Sequence, residues 1–475
     1  MSGRVSAQVL KAMGIFGGVR MLHIIFGVIR VKLIAVLLGP SGVGLFGIFN
    51  GAVDTVKAVS QLGVRSSAVR DIAGASESSP TALTTIVTVV RRWGVMLGIL
   101  GAVIMAAGAP WLSRLTFGSG EMTLHYIALA AALFFLSVAG AEEAVLQGSG
   151  ELGRLAKASV WGVFFGLIVS IPMYFLWGID SVVPSIIAFS AATCIATLRY
   201  RRRGVAATSP VSLGQTFEIG RRFIALGICM TAADFLAQAM SYVFVVWLNN
   251  RSGDSEVGLY QAGYTMVNRY VGLIFAALAT EYYPRLVRVA TSRRRLNAFV
   301  AHEMSVILLL LLPAVLLFIS FAPWMVRLLY DSRFDAAVPF ITIAMAGIVL
   351  RGVSYCMSYV ILAKGDGVTF LITETVSAIL GLGLNLVCYS EWGVAGLGVS
   401  YTLWYLLYVA NIGIVYRLRY GLSLPSRLMA IATAMFILVA LSTFVALTVS
   451  SLWILPLALA AALITLRRLR NLFRR

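Results

Sequence analysis

Six basic residues stand where a membrane-seeking chain tolerates almost none. Arg20, Arg30, Lys32, Lys57, Arg269 and Arg351 each lie inside a long hydrophobic run. A charge at the centre of a bilayer costs about 2.5–3.5 kcal/mol even on the most lenient scale, so such residues need a partner or a water-filled space. Lys32 is close enough to the end of its run to snorkel, whereas Arg269 and Arg351 sit near the centres of theirs. Spacing puts these cations on shared faces. Asn50, Asp54, Lys57 and Gln61 step along one stripe of a helix. Arg20, His23 and Arg30 fall within an arc of about 80° at roughly 100° per residue. A third stripe holds Gln261, Thr265, Asn268, Arg269 and Thr280.

Acids at the same depth are fewer. Asp54 is placed to pair with Lys57, Asp234 and Glu374 lie within other runs, and Glu142 and Glu143 fall near a run's end, at the interface. The resulting surplus of buried positive charge asks for an anion, and the forked guanidinium suits phosphate. The chemistry expected is therefore binding of a phosphate-bearing substrate by Arg20, Arg30, Lys57, Arg269 and Arg351, helped by Asn50, Gln61 and Asn268. Asp54, Asp234 and Glu374 are the candidates for ion coupling. No catalytic residue, metal or cofactor is expected. His23, His125 and His302 are scattered, and Cys194, Cys229, Cys356 and Cys388 lie in apolar runs without metal-ligand spacing. The chain should carry its substrate and leave it chemically unchanged.

The elements that position these residues follow from composition. Of 475 residues, 60% are hydrophobic and 12% charged, half the charged share of a soluble domain, and the mean hydropathy is +0.92. Fourteen transmembrane helices are predicted at 13–38, 43–66, 84–110, 122–147, 157–178, 181–198, 223–248, 257–283, 298–321, 336–363, 368–389, 393–416, 427–449 and 451–466. The first run is too long for a signal peptide and is expected to be retained. Breaks are expected at Gly39–Gly42, Asn249–Asp254, Lys364–Gly367 and Glu391–Gly393, and a short interfacial helix at 212–222. With the N-terminus inside, 28 of the 38 Lys and Arg fall on the cytoplasmic side, 4 on the other and 6 within spans, which supports an even number of crossings with both termini cytoplasmic. The net charge of +19 thus belongs to membrane orientation, and nucleic acid is excluded as a partner.

The fold class expected is an all-α polytopic membrane protein. Val43-Gly44-Leu45-Phe46 and Val257-Gly258-Leu259-Tyr260 each open a span after a turn-rich loop, six spans apart. They suggest two six-helix lobes, 1–205 and 206–420, around a central cavity, with 421–475 holding two further helices and a basic tail. A drug exporter of similar build should have an acid-rich cavity. A membrane glycan polymerase or glycosyltransferase should show a large outer loop or an acidic cytosolic motif. Neither pattern appears.

The stretch Leu37-Leu38-Gly39-Pro40-Ser41-Gly42-Val43-Gly44-Leu45-Phe46 resembles the first-loop signature of Wzx-type O-antigen translocases. So do Gly258-Leu259-Tyr260-Gln261 and Tyr282-Tyr283-Pro284-Arg285-Leu286. These flippases of lipid-linked oligosaccharides belong to the multidrug/oligosaccharidyl-lipid/polysaccharide exporter superfamily. The resemblance covers the first twelve spans. It implies alternating access in a bacterial inner membrane and an undecaprenyl-diphosphate-linked oligosaccharide, an O-antigen or exopolysaccharide repeat unit, as substrate. It also implies a monomer, with a glycan polymerase and chain-length machinery as candidate partners. Related lipid II flippases carry cavity cations on helices one, two and eight, where Arg20, Arg30, Lys57 and Arg269 stand, with Lys in place of the usual Arg. That keeps a lipid II flippase as the alternative, and the last two helices, absent from twelve-span relatives, point the same way. A MATE-like exporter is a further alternative.

Overall fold

A computed structural model of the chain describes residues 2–61, 64–202 and 211–473. Within them, the side chains of 2–21, 23–24, 64–67, 76–78, 213, 220–230, 269–270, 273, 276–281, 284, 469 and 471–473 lie outside the description. The described residues form fourteen α-helices and no strand: α1 Ser2–Gln61, α2 Val64–Ser78, α3 Pro80–Phe117, α4 Thr123–Gly148, α5 Leu152–Trp177, α6 Val182–Arg199, α7 Leu213–Ser252, α8 Asp254–Tyr264, α9 Gly272–Val289, α10 Arg293–Leu329, α11 Val338–Ala363, α12 Gly367–Leu418, α13 Ser426–Thr448 and α14 Leu455–Phe473. Most of these are apolar around much of their circumference, as lipid demands when no water is present to satisfy a backbone group.

Helices and crossings do not correspond one to one, although each numbers fourteen among the described residues. A straight helix of 60 residues, the length of α1, would be about 90 Å long, three times the hydrocarbon thickness. It breaks at Gly39, whose φ of 70° only glycine adopts cheaply, and Pro40 then withholds a backbone donor. The 52-residue α12 breaks in the same way at Gly393, φ 58°. Ten stretches of described residues are long and apolar enough to span a membrane. Three of them, Ile25–Gln61, Leu152–Arg199 and Gly367–Leu418, hold two crossings each. The pair α8 and α9, joined through a π-helical stretch at Thr265–Tyr270, supplies one more. The described residues therefore supply fourteen crossings.

Two local expectations are corrected. Residues 212–222 do not form a separate interfacial helix: they begin α7, which runs unbroken to Ser252 and stops only at Gly253, φ 83°. Ser212 and Gln215 form a capping box there, each side chain bonded to the other's backbone at 3.1 Å, and no proline follows to end the helix. The segment between the spans expected at 43–66 and 84–110, for which no helix is expected from sequence, contains most of α2. Ala68, Ile72 and Ala75 fall on one face of it and pack on Leu83, Val87, Val90, Ala144 and Val145. Gly148 of α4 lets α2 approach closely, since a Cβ there would lie 2.7 Å from Ile72.

The chain divides into two compact units, Met1–Val257 and Gly258–Arg475. In the first, α3 packs on α4, α5 on α6, and α7 on α1 and α3. Glycines at 94, 98 and 101 bring α3 close to α4 and α1, their Cβ positions lying 2.4–3.2 Å from Ala141, Phe134 and Ser60. In the second, α11 is the centre, flanked by α10, α12 and α13. The last two helices belong to this unit, and Thr443 and Thr465 donate to the carbonyls of Thr342 and Leu309.

Candidate functional site

Arg30 lies in the first unit among α1, α5 and α6. Its guanidinium carbon is 4.6 Å from the centre of the Phe46 ring and 4.2 Å from that of Phe189. Nε donates to Tyr174 Oη and Nη2 to the Ser185 carbonyl, both at a long 3.4 Å. Tyr174 in turn donates to Ser185 Oγ at 3.1 Å. Aromatic faces and neutral oxygens thus hold the cation. Among the described residues no carboxylate pairs with it.

The stripe on the second span is divided in its duties. Asn50 donates back to the Phe46 carbonyl at 2.8 Å, and Gln61 donates to Ser137 of α4 at 3.2 Å. Lys57 is half-buried and forms no ion pair among the described residues, so the Asp54–Lys57 pair that spacing allows is not made. Asp54 is half-buried, and Asp234, on α7, is exposed. The side chains of Arg20, His23 and Arg269 lie outside the described residues.

Arg351 lies in the second unit, at the middle of α11. Nη1 donates to Asn268 Oδ1 and to Tyr401 Oη, each at 3.2 Å. The Phe275 and Tyr405 ring centres are 4.9 and 5.8 Å from its guanidinium carbon. The structure therefore joins Arg351 and Asn268, 83 residues apart, as two of the expected substrate-binding residues. Asn268 sits in the π-helical stretch, a wider turn that recurs at functional sites. Its Nδ2 is buried with no partner among the described residues, beside a guanidinium with no acid. An unmade buried donor costs about 1–3 kcal/mol. A donor and a cation so placed suit an anion.

Sequence reasoning missed the aromatic residues that make this cage. Tyr401, Tyr405 and Tyr408 recur at four and three residues on α12, with ring centres 4.8 and 6.3 Å apart in sequence. Tyr355 and Tyr359 repeat the spacing on α11, and Tyr355 donates to the Phe275 carbonyl at 3.0 Å. The signal was an i, i+4 repeat of tyrosines within apolar runs. The ladder ends at Glu374, which accepts from Tyr408 Oη at 2.5 Å.

Arginines near the helix ends are held differently. Arg91 grips Glu142 with two hydrogen bonds of 2.6 and 3.1 Å, and Glu142, near the end of α4, is only 4% exposed. Arg285 pairs with Glu303 at 3.3 Å and Arg202 with Glu151 at 3.2 Å. Arg419 binds Asp366 at 2.5 Å, and Tyr420 donates to the same carboxylate at 3.0 Å. The Arg419 hydrogen bond, with others from Thr369 and Tyr420, holds the Asp366 carboxyl down at about 2. Burial and the Asp366 hydrogen bond push Tyr420 up to about 12. Cys194, Cys356 and Cys388 are buried free thiols, and the described residues contain no cluster of three or more His, Cys, Asp or Glu able to hold a metal.

The sequence profile of the family described as "Polysaccharide biosynthesis protein" matches residues 33–339, most of the chain. The chain belongs to that family. It is 21% identical over 379 residues to the lipid III flippase of Escherichia coli (strain K12), covering 77% of this chain and 86% of that protein, and equally to the lipid III flippase of Shigella flexneri. Its fold matches the lipid II flippase MurJ in an inward closed conformation with a TM-score of 0.71 at 13% identity, over 97% of this chain and 98% of that one. It also matches an inward-facing multidrug resistance MATE family transporter of the MOP superfamily, with a TM-score of 0.69 at 16% identity, over 84% and 94%. The family is thus shown as one of polysaccharide biosynthesis proteins, and the fold is shared with solved structures described as a lipid II flippase and as a transporter of the MOP superfamily.

Proposed function

We propose that the protein moves an undecaprenyl-diphosphate-linked oligosaccharide from the cytoplasmic to the periplasmic leaflet of a bacterial inner membrane by alternating access, with both termini cytoplasmic. The supporting observation is the unbalanced charge of Arg30 and Arg351: both are half-buried within membrane spans, and neither meets a carboxylate among the described residues. A diphosphate supplies the missing charge. Arg20, Arg30, Lys57, Arg269 and Arg351 are its ligands in this reading, with Asn268 offering the free amide donor. Asn50 and Gln61 take part by keeping the second span in place.

Outward passage of roughly two negative charges from a negative-inside cell releases about 4–5 kcal/mol per 100 mV. Voltage therefore suffices as a driving force if the carrier's own charges stay still. Proton antiport through Asp54, Asp234 or Glu374 is the competing scheme. Imposing voltage and pH gradients separately on proteoliposomes decides between them, and indifference to both rejects both.

A second reading, a lipid II flippase, is favoured by one specific feature. The match to the lipid II flippase covers 97% of the chain, whereas the match to the MATE transporter covers 84%. The test is a flipping assay offering both substrates to purified protein. Neutralising Arg20, Lys57, Arg269 or Arg351 should abolish flipping of the preferred substrate while the protein stays folded. Unchanged flipping in all four variants overturns the proposal, and preference for lipid II corrects the substrate alone.

A further inference from the structure

A cavity of about 470 Å³ opens between the first turns of α4 and α6, wholly within the first unit. That volume falls inside the range of about 300–1,000 Å³ typical of ligand sites. Leu124, Ala128, Val183, Pro184, Ile187 and Ala188 give it an apolar wall, and His125 and Asp180 supply its only polar side chains. It lies at the arginine-poor face, the end of the bundle where Trp111 and Trp177 stand 66% and 56% exposed. Tryptophans gather at the level of lipid headgroups.

The two polar residues have definite characters. The His125 ring stacks on Phe49, and its Nδ1 is sealed without a partner among the described residues. A sealed N–H or a charged ring would be an unpaired donor in an apolar wall, which costs more than a bare lone pair. With Nδ1 sealed, Nε2 is the ring nitrogen left to act as a donor toward the cavity. Asp180 is exposed and forms no ion pair among the described residues, so it offers a free carboxylate. One donor, one anion and an apolar channel beside them describe a zwitterion with an alkyl tail: a phosphate for His125 Nε2 and a primary ammonium for Asp180.

We infer that this cavity binds an ethanolamine-type phospholipid, its ammonium on Asp180, its phosphate on His125 and an acyl chain along Val183, Ile187 and Ala188. The site is separate from the caged arginines, and the inference stands whichever substrate the flippase prefers. Choline carries the same charge without an N–H, and glycerol carries neither, so headgroup selectivity follows from the carboxylate.

The test uses the full chain in detergent, exchanged into an equimolar mixture of phosphatidylethanolamine, phosphatidylcholine and phosphatidylglycerol and examined by native mass spectrometry. The wild type should retain phosphatidylethanolamine about tenfold over the other two, the effect of one charge-assisted hydrogen bond. Asp180→Asn should erase the preference. Ala188→Trp, which fills the cavity, should remove one bound lipid of any headgroup. Because Asp180 is exposed, its substitution leaves the packing intact and carries the test even if Ala188→Trp does not fold. Equal retention of the three lipids by the wild type would overturn the inference. So would an ethanolamine preference that survives Asp180→Asn, or a bound Zn²⁺ that displaces the lipid.

Discussion

The arginines in the middle of the helical bundles and those at their basic rim solve the same problem with different partners. At the rim, Arg91, Arg202, Arg285 and Arg419 each meet a carboxylate. In the interior, Arg30 and Arg351 are wrapped in aromatic rings, a serine carbonyl, tyrosine hydroxyls and an amide oxygen, all of them neutral. A carboxylate cancels a charge and fixes a helix. A cage of rings and dipoles makes the charge bearable while leaving it uncancelled, so an arriving anion still feels it. The rim cations orient and brace. The interior cations remain available.

The two interior cages also differ. The hydrogen bonds of Arg351 are 3.2 Å and converge from two helices on one nitrogen, whereas those of Arg30 are 3.4 Å and its rings sit closer. Arg351 therefore depends on the fork of the guanidinium, and Arg30 on a cation near two ring faces.

The largest expected effect separates rim from interior. Glu142→Ala leaves a half-buried Arg91 without its carboxylate and should lower stability by about 3 kcal/mol, the low end for a broken buried pair, read from thermal unfolding in detergent. A loss below about 1 kcal/mol would place that pair among ordinary surface bridges and erase the contrast. Next, Arg351→Gln should reduce flipping about a hundredfold, a barrier change of about 2.7 kcal/mol, measured in proteoliposomes with melting checked alongside. Smaller is the difference between the cages. Arg30→Lys should keep about a third of wild-type flipping, since an ammonium also binds ring faces. Arg351→Lys should flip as poorly as Arg351→Gln, and equal rescue at both sites would show that the cages work alike. The smallest effect is at the rim loop. Asp366 is held below the ordinary carboxylate range, near 3.9, at about 2, so its contribution to stability is present above pH 4–5 and fades as pH falls toward 2. The melting difference between wild type and Asp366→Asn should narrow over that interval, and a difference that widens on acidification would contradict the assignment.

Much of the architecture was legible in order along the chain. Apolar runs of about 20 residues have one stable fate in lipid, a helix with every backbone group bonded within itself, so the crossings at 84–110 or 336–363 could be read without tertiary knowledge. Gly39 and Gly393 were legible for the same local reason: a positive φ needs no neighbour to explain it. The polar helix α2 was not legible, because its short amphipathic stripe gains stability only from packing on α3 and α4. Nor did an i, i+3 spacing tell whether Lys57 would pair with Asp54.

The sequence by itself determined that this protein lives in a membrane, crosses it fourteen times and keeps cations at depth, because hydropathy and insertion cost are properties of a single segment. Only the tertiary structure decided what surrounds each cation. That Arg351 meets Asn268 and Tyr401, that Arg30 meets Phe46 and Phe189, and that Arg91 meets Glu142 all depend on helices far apart in the chain coming within hydrogen-bond reach. The environment of a buried charge is set by what other helices bring to it, and a single helix face does not record that.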